Sequence, residues 1–223
     1  KFGLYGLLRL AEPFFPDAWG GGWGMVLGAL LLCNVIYVGL AAIAEKNLLM
    51  MLGYLSVSHM GFIFLGLLAS NELGLNGAVL LMFAHGLAAA LGFALAAHVE
   101  RQARTVDLPH LGGLAQRMPF AAVMFTMVAL ALSGVPGFGN FAGEILVVFG
   151  AWKNGFHPGA GWHYPWLVVT AVALWGVVIS ATTMMRAVRR VFHGEGSGTV
   201  PAVARDVRGS GRWPYWLLMG TLL

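Results

Sequence analysis

The sequence predicts an all-α fold, a polytopic transmembrane helical bundle in which one helix is broken. Three observations carry that expectation. Of the 223 residues, 59% are hydrophobic and only 10% are charged, with a mean hydropathy of +0.78, outside the range of soluble globular domains. Apolar runs near the ~20 residues needed to span a bilayer core recur along the chain, divided by Gly, Pro and charged residues. One run, residues 120–152, is too long for a plain crossing and is interrupted by Ser133-Gly134-Val135-Pro136-Gly137-Phe138-Gly139-Asn140.

In chain order, the runs predict a partial span at 1–14, full spans at 23–44, 48–69 and 75–99, the broken span at 120–152, a span at 164–192 and a partial span at 213–223. They form a single membrane domain. The chain begins at Lys1 without an initiator Met and ends on an apolar run too short to span, so it reads as a fragment of a longer chain. Trp19, Trp23, Trp152, Trp162, Trp166, Trp213, Tyr215 and Trp216 fall near run ends, where an interfacial aromatic belt would place them. Residues 193–212, rich in Gly, Ser and Arg, read as a flexible loop. Gly61, Gly66, Gly86 and Gly92 suit close helix contacts.

The break follows from Pro136, which lacks an N–H and would clash with the carbonyl of Leu132, while Gly134, Gly137 and Gly139 ease departure from helical geometry. In hydrocarbon, backbone freed in this way survives only where protein or water meets it, and such breaks line ion pathways.

Charge bounds the function. The net charge is +4, but the basic residues stand at the ends of apolar runs and form no patch, which argues against nucleic acid. With the broken span crossing once, ten of them share one side (Lys46, Arg101, Arg104, Arg117, Arg186, Arg189, Arg190, Arg205, Arg208 and Arg212), against Arg9 and Lys153 on the other. The positive-inside rule makes the loops 45–47, 100–119 and 193–212 cytoplasmic. Cys33 is the single cysteine, so there is no intrachain disulfide framework and no Cys-rich metal site. No His-Glu-x-x-His, Gly-x-Ser-x-Gly or Walker pattern occurs, so no soluble substrate is expected on this chain.

Few ionisable residues lie inside the spans, and four of them share one depth. At 1.5 Å per residue, His59 is roughly 16 Å into an outward-running span and His85 roughly 15 Å into the inward-running one that follows. Lys1 lies roughly 20 Å before the outer end of its run, and Glu144 follows the break. A row of titratable groups halfway across a bilayer, on different helices, suits lateral proton transfer, with each site taking and releasing a proton. The bland readings are a packing kink, hydrogen-bonded core histidines and a Lys at a chain end. A different class is a cytochrome b-type electron carrier with His59 and His85 on haem, for which the usual second His pair is absent.

Tyr54-Leu55-Ser56-Val57-Ser58-His59-Met60-Gly61-Phe62 resembles the Tyr-Ser-Ser-Val-Ser-His-Met-Gly-Phe, and Ala84-His85-Gly86 the next-helix histidine, of the antiporter-like subunit M (chain 4) of respiratory complex I. Asp107-Leu108, Gly112-Gly113-Leu114, Val135-Pro136-Gly137 and Asn140-Phe141-Ala142-Gly143-Glu144 also match, as does Lys1-Phe2-Gly3-Leu4-Tyr5-Gly6-Leu7-Leu8-Arg9. The resemblance implies an antiporter-like subunit of fourteen helices, represented here from helix eight to the start of helix fourteen. By position, Lys1 would be its central lysine, His59 and His85 its bridging residues and Glu144 the terminal residue of its hydrophilic axis. Related subunits L and N and the sodium/proton antiporters typically carry Lys where Glu144 stands, so the resemblance favours subunit M. Asn47-Leu48-Leu49-Met50 departs from the Asp-x-Lys-Arg of many members.

The implied function is proton translocation as a non-redox subunit of NADH:quinone oxidoreductase in a bacterial inner membrane. No cofactor is expected on this chain. NADH, flavin, iron–sulfur clusters and quinone would belong to partner subunits, and the neighbours would be lipid and other membrane subunits. Sodium/proton antiporters and membrane-bound hydrogenase complexes carry similar subunits, and the resemblance leaves both open.

Overall fold

The computed structural model describes residues 1–11, 21–157, 161–162, 164–194, 204–207 and 209–223. Residues 12–14 of the first expected span, Trp19, and the side chains of Trp23 and Trp162 lie outside the described residues. The chain begins with α1 (Phe2–Gly6), which runs into a π turn, Leu7–Ala11. Next comes α2 (Gly21–Cys33), which passes through a second π turn, Asn34–Val38, into α3 (Gly39–Ala44). There follow α4 (Leu48–Leu68), α5 (Glu72–Ala103), α6 (Pro119–Leu132), α7 (Gly139–Gly155), α8 (Tyr164–Val188) and α9 (Trp213–Gly220). Among the described residues, four helical stretches are long and apolar enough to cross a membrane: Val26–Ala44, Leu48–Leu68, Glu72–Ala103 and Pro165–His193. At 14 and 17 residues, α6 and α7 each fall short of a crossing alone. The protein is an all-α integral membrane bundle. Among the described residues the strands are a small antiparallel pair, β1 (Phe156–His157) and β2 (Gly161–Trp162).

Side-chain caps fix the ends of the two longest central helices. Asn47 accepts from the Leu49 and Met50 N–H groups to start α4, and Asn71 accepts from the Gly74 N–H to start α5. The turn between them is also tied to α7, because Asn71 Nδ2 donates to Gly150 O at 2.8 Å and to Asn154 Oδ1 at 3.0 Å. At the opposite end, the 45–47 loop pairs with the chain after α5, Leu48 N–H donating to Val106 O and Leu108 N–H to Lys46 O. The Asn47 and Lys46 N–H groups hold the Glu45 carboxyl below its ordinary range. The Arg186 guanidinium donates to Ala42 O and Glu45 O, carbonyls at the α3 terminus that the helix leaves unused.

The sequence marked 193–212 as a flexible loop, yet its described part is docked. Asp206 accepts from Phe120 N–H at 2.7 Å and Ala121 N–H at 3.2 Å, capping α6, while Arg205 N–H donates to Gln102. Helix N-termini present unmet donors that attract a carboxylate even in a Gly- and Ser-rich segment.

Glycines let α4, α5 and α7 approach backbone to backbone. A Cβ on Gly66 would stand 2.6 Å from Gly74 O, one on Gly77 2.7 Å from Val147 N, and one on Gly143 2.9 Å from Leu81 N. This close packing carries residues of three helices into one layer. Gly61 and Gly92 also lie at helix contacts, but Gly86 has nothing within 4 Å, so the expectation of a close contact there is corrected. The α5 face that carries Gly86 lies away from the glycine-lined contact with α7.

Candidate functional site

The site forms where α6 ends. Gly134, at φ +65°, follows Ser133 in the left-handed conformation that commonly terminates a helix. The N–H of Val135 returns to Leu130 O and that of Gly134 to Ala131 O, both at 3.2 Å. This is the Schellman arrangement. The glycine therefore ends the helix, and Pro136 follows the end without causing it. Ser133 Oγ donates back to Ala129 O. The last helical carbonyl, on Leu132, is not used by the turn and faces α4 instead.

His59, on α4, takes up that carbonyl. Its Nε2 lies 3.2 Å from Leu132 O and its Nδ1 2.9 Å from Leu55 O. Both ring nitrogens thus face carbonyl acceptors, and hydrogen bonding at both requires two ring protons. Glu144, on the first turns of α7, brings Oε1 to 3.6 Å from the same Nε2, within ion-pair range but longer than a hydrogen bond. The carboxylate also lies against Gly134. His85, on α5, stacks on His59 with centroids 4.6 Å apart and planes inclined by 21°, and its Nε2 meets Ser56 Oγ at 3.1 Å. His59, His85 and Glu144 are at most 5% exposed.

Three of the four expected relay residues meet in one cluster. Lys1 does not bond to them, its Nζ instead lying 3.3 Å from Sδ of Met60, next to His59 in sequence. Of the break residues, Gly134 lies against the Glu144 carboxylate and Ser133 and Asn140 are buried, whereas Pro136 and Gly137 are exposed. Gly139 N–H, at the start of α7, donates to Leu222 O at 2.8 Å, so the segment after α9 closes the break.

Sequence reasoning missed Ser56, the Leu132 carbonyl and the left-handed turn at Gly134. A signal for Ser56 was present, since it precedes His59 by three residues and so shares its helix face.

The geometry argues against haem. Axial ligation puts two imidazoles on opposite faces of a macrocycle, but these rings stack face to face and their nitrogens bond to Leu55, Leu132 and Ser56. Among the described residues, no three His, Cys, Asp or Glu side chains converge as metal ligands.

Comparison with known proteins agrees with this architecture. The chain is 37% identical over 198 residues to NAD(P)H-quinone oxidoreductase chain 4 1 of Synechococcus elongatus, covering 87% of this chain and 35% of that protein. It is 32% identical over 208 residues to NADH-quinone oxidoreductase subunit M of Pseudomonas aeruginosa, covering 93% and 38%. The chain thus spans little more than a third of these relatives. A chain of respiratory complex I from Thermus thermophilus, solved with bound NADH, superposes with a TM-score of 0.84 at 29% identity, covering 99% of this chain and 44% of that one. A chain of the Mrp complex from Dietzia sp. shares the fold, with a TM-score of 0.75 at 24% identity, covering 93% of this chain and 37% of that one. The family model described as NADH:quinone oxidoreductase/Mrp antiporter, TM, matches residues 1–181, and the chain belongs to that family.

Proposed function

We propose that this chain is part of an antiporter-like subunit that translocates protons within an NADH:quinone oxidoreductase. The observation that carries the reading is the series of buried Glu144, His59 and His85 in contact with the half-buried Ser56, assembled from three helices at a helix break. Two imidazolium ions 4.6 Å apart would repel by about 4 kcal/mol at an effective dielectric of 20. One charge on the pair therefore disfavours a second, and a proton gained on one side favours release on the other. Glu144 is the acceptor for a proton leaving Nε2 of His59, and Lys1, beside Met60, is the donor side in this scheme.

The stacked rings do not aim an N–H of one at a nitrogen of the other. Passage between them requires ring rotation or water, which makes this step the natural gate. The chain's contribution is to hold and move protons. The redox chemistry, with NADH, flavin, iron–sulfur clusters and quinone, would reside in partner subunits, alongside other membrane subunits packed on the exposed apolar faces. The basic loops 45–47, 100–119 and 193–212 would face the cytoplasm of a bacterial inner membrane.

The test replaces Glu144 in the whole subunit, assembled with its partners in vesicles, and follows proton uptake with a pH-sensitive dye at matched amounts of complex. Glu144→Gln keeps volume and hydrogen bonding but cannot titrate, so uptake should fall about tenfold or more, and Glu144→Asp should retain part of it. Uptake by Glu144→Gln equal to wild type would remove the carboxylate from the route. Uptake that follows sodium in place of pH would favour the antiporter reading.

A further inference from the structure

Three polar atoms on two fully buried side chains near the break are not used by the relay as described. Nδ1 of His85 and both polar atoms of Asn140 have no hydrogen-bond partner among the described residues, and the two residues are 1% and 0% exposed. Helix register puts them at one level. A Cβ on Gly139 would stand 3.1 Å from Cβ of Ala84, and these two residues directly precede Asn140 and His85. Buried donors and acceptors left unmet are costly, and folded proteins meet them with other groups or with ordered water.

We propose that Asn140 is a positioning residue of the proton route, its amide acting through buried water as the partner of Nδ1 of His85. The inference rests on the proton-translocating reading and deepens it. A proton crossing an imidazole arrives on one nitrogen and leaves from the other, and the tautomer must then reverse. Reversal is easy only if the group at each nitrogen can both donate and accept. The Ser56 hydroxyl at Nε2 does both, and at Nδ1 an amide or a water does both. An anionic carboxylate there would only accept and would lock one tautomer. His59 has no such freedom, since its nitrogens face only the acceptors on Leu55, Leu132 and Glu144. The groups around His59 therefore favour no reversal of its tautomer, whereas those around His85 allow it.

The test uses the whole assembled subunit, with proton uptake read across pH and a high-resolution map of the complex. Asn140→Leu keeps the size without polarity, and uptake should fall about tenfold. Asn140→Ser, which again donates and accepts, should recover much of it. Asn140→Asp should pump better as pH falls, because its protonated form both donates and accepts, a dependence absent from wild type. The map should hold water density in hydrogen-bonding range of both His85 Nδ1 and Asn140. Wild-type uptake in Asn140→Leu, no rescue by Ser, or a map with Nδ1 bonded elsewhere and no water would each overturn the proposal. Glu144→Gln, run in parallel, separates the two readings. If it loses uptake while Asn140→Leu does not, only the role of Asn140 fails. If it pumps normally, the relay fails, and the water density alone decides for or against the site at Asn140.

Discussion

Gly134 determines where the Glu144 carboxylate can stand. Its φ of +65° is a left-handed conformation, and a Cβ there would collide with Oε2 and lie 3.3 Å from Cδ of Glu144. Left-handed geometry costs a non-glycine residue roughly 1–2 kcal/mol, so Gly134→Ala should lower stability by about that much and push the carboxylate away from His59. Gly137, at φ +104°, is the internal control, since it has the strain but nothing within 4 Å. Both alanine variants should unfold at lower temperature in a detergent melt, and only Gly134→Ala should also lose proton uptake. Equal losses of uptake would assign the effect to strain alone. Glu144, His59 and His85 were legible in the sequence because ionisable groups are conspicuous in apolar runs. The carbonyl of Leu132 was not, because every residue has one, and only the turn after α6 decides which is left free.

At the level of elements, four long apolar helices were legible from hydropathy and the helix break from its glycines, while the caps were not. Asp206 reaches Phe120 and Ala121 across 85 or more residues of sequence, and no local pattern announces such a partner. The π turns at Asn34–Val38 and Arg189–His193 were equally invisible within continuous apolar runs. Capping carboxylates contribute ~1 kcal/mol, so Asp206→Ala should destabilise α6 by about that amount. Hydrogen exchange should accelerate at the Phe120 and Ala121 amides. The Arg212 ion pair to Asp206, at 4.0 Å with the Arg side chain 44% exposed, is solvent-screened, and Arg212→Gln should change exchange there far less. Equal acceleration in the two variants would mean that the ion pair, and not the cap, holds the segment.

For the whole molecule, helix direction and charge asymmetry make one joint prediction about orientation. The 32 residues of α5 extend about 48 Å at 1.5 Å per residue, enough to cross the bilayer core and emerge on both sides. Arg101 lies in its last turn. Helix α7 runs antiparallel to α5, since Gly143 packs on Leu81 and Gly150 on Gly74, so Lys153 emerges beside the start of α5, on the face opposite Arg101. Both residues are exposed. With most of the basic residues expected on the side of Arg101, the positive-inside rule predicts that this side faces the cytoplasm. The prediction is tested in the whole subunit carrying Cys33→Ala, because Cys33 is exposed on the bundle surface. A membrane-impermeant maleimide applied to intact cells with a permeable outer layer should label Lys153→Cys and leave Arg101→Cys untouched, and inverted vesicles should reverse the pattern. Labelling of both variants from one side would contradict the antiparallel crossing. A swapped pattern would keep the crossing but turn the molecule over, so that the loops 45–47, 100–119 and 193–212 would face the opposite compartment.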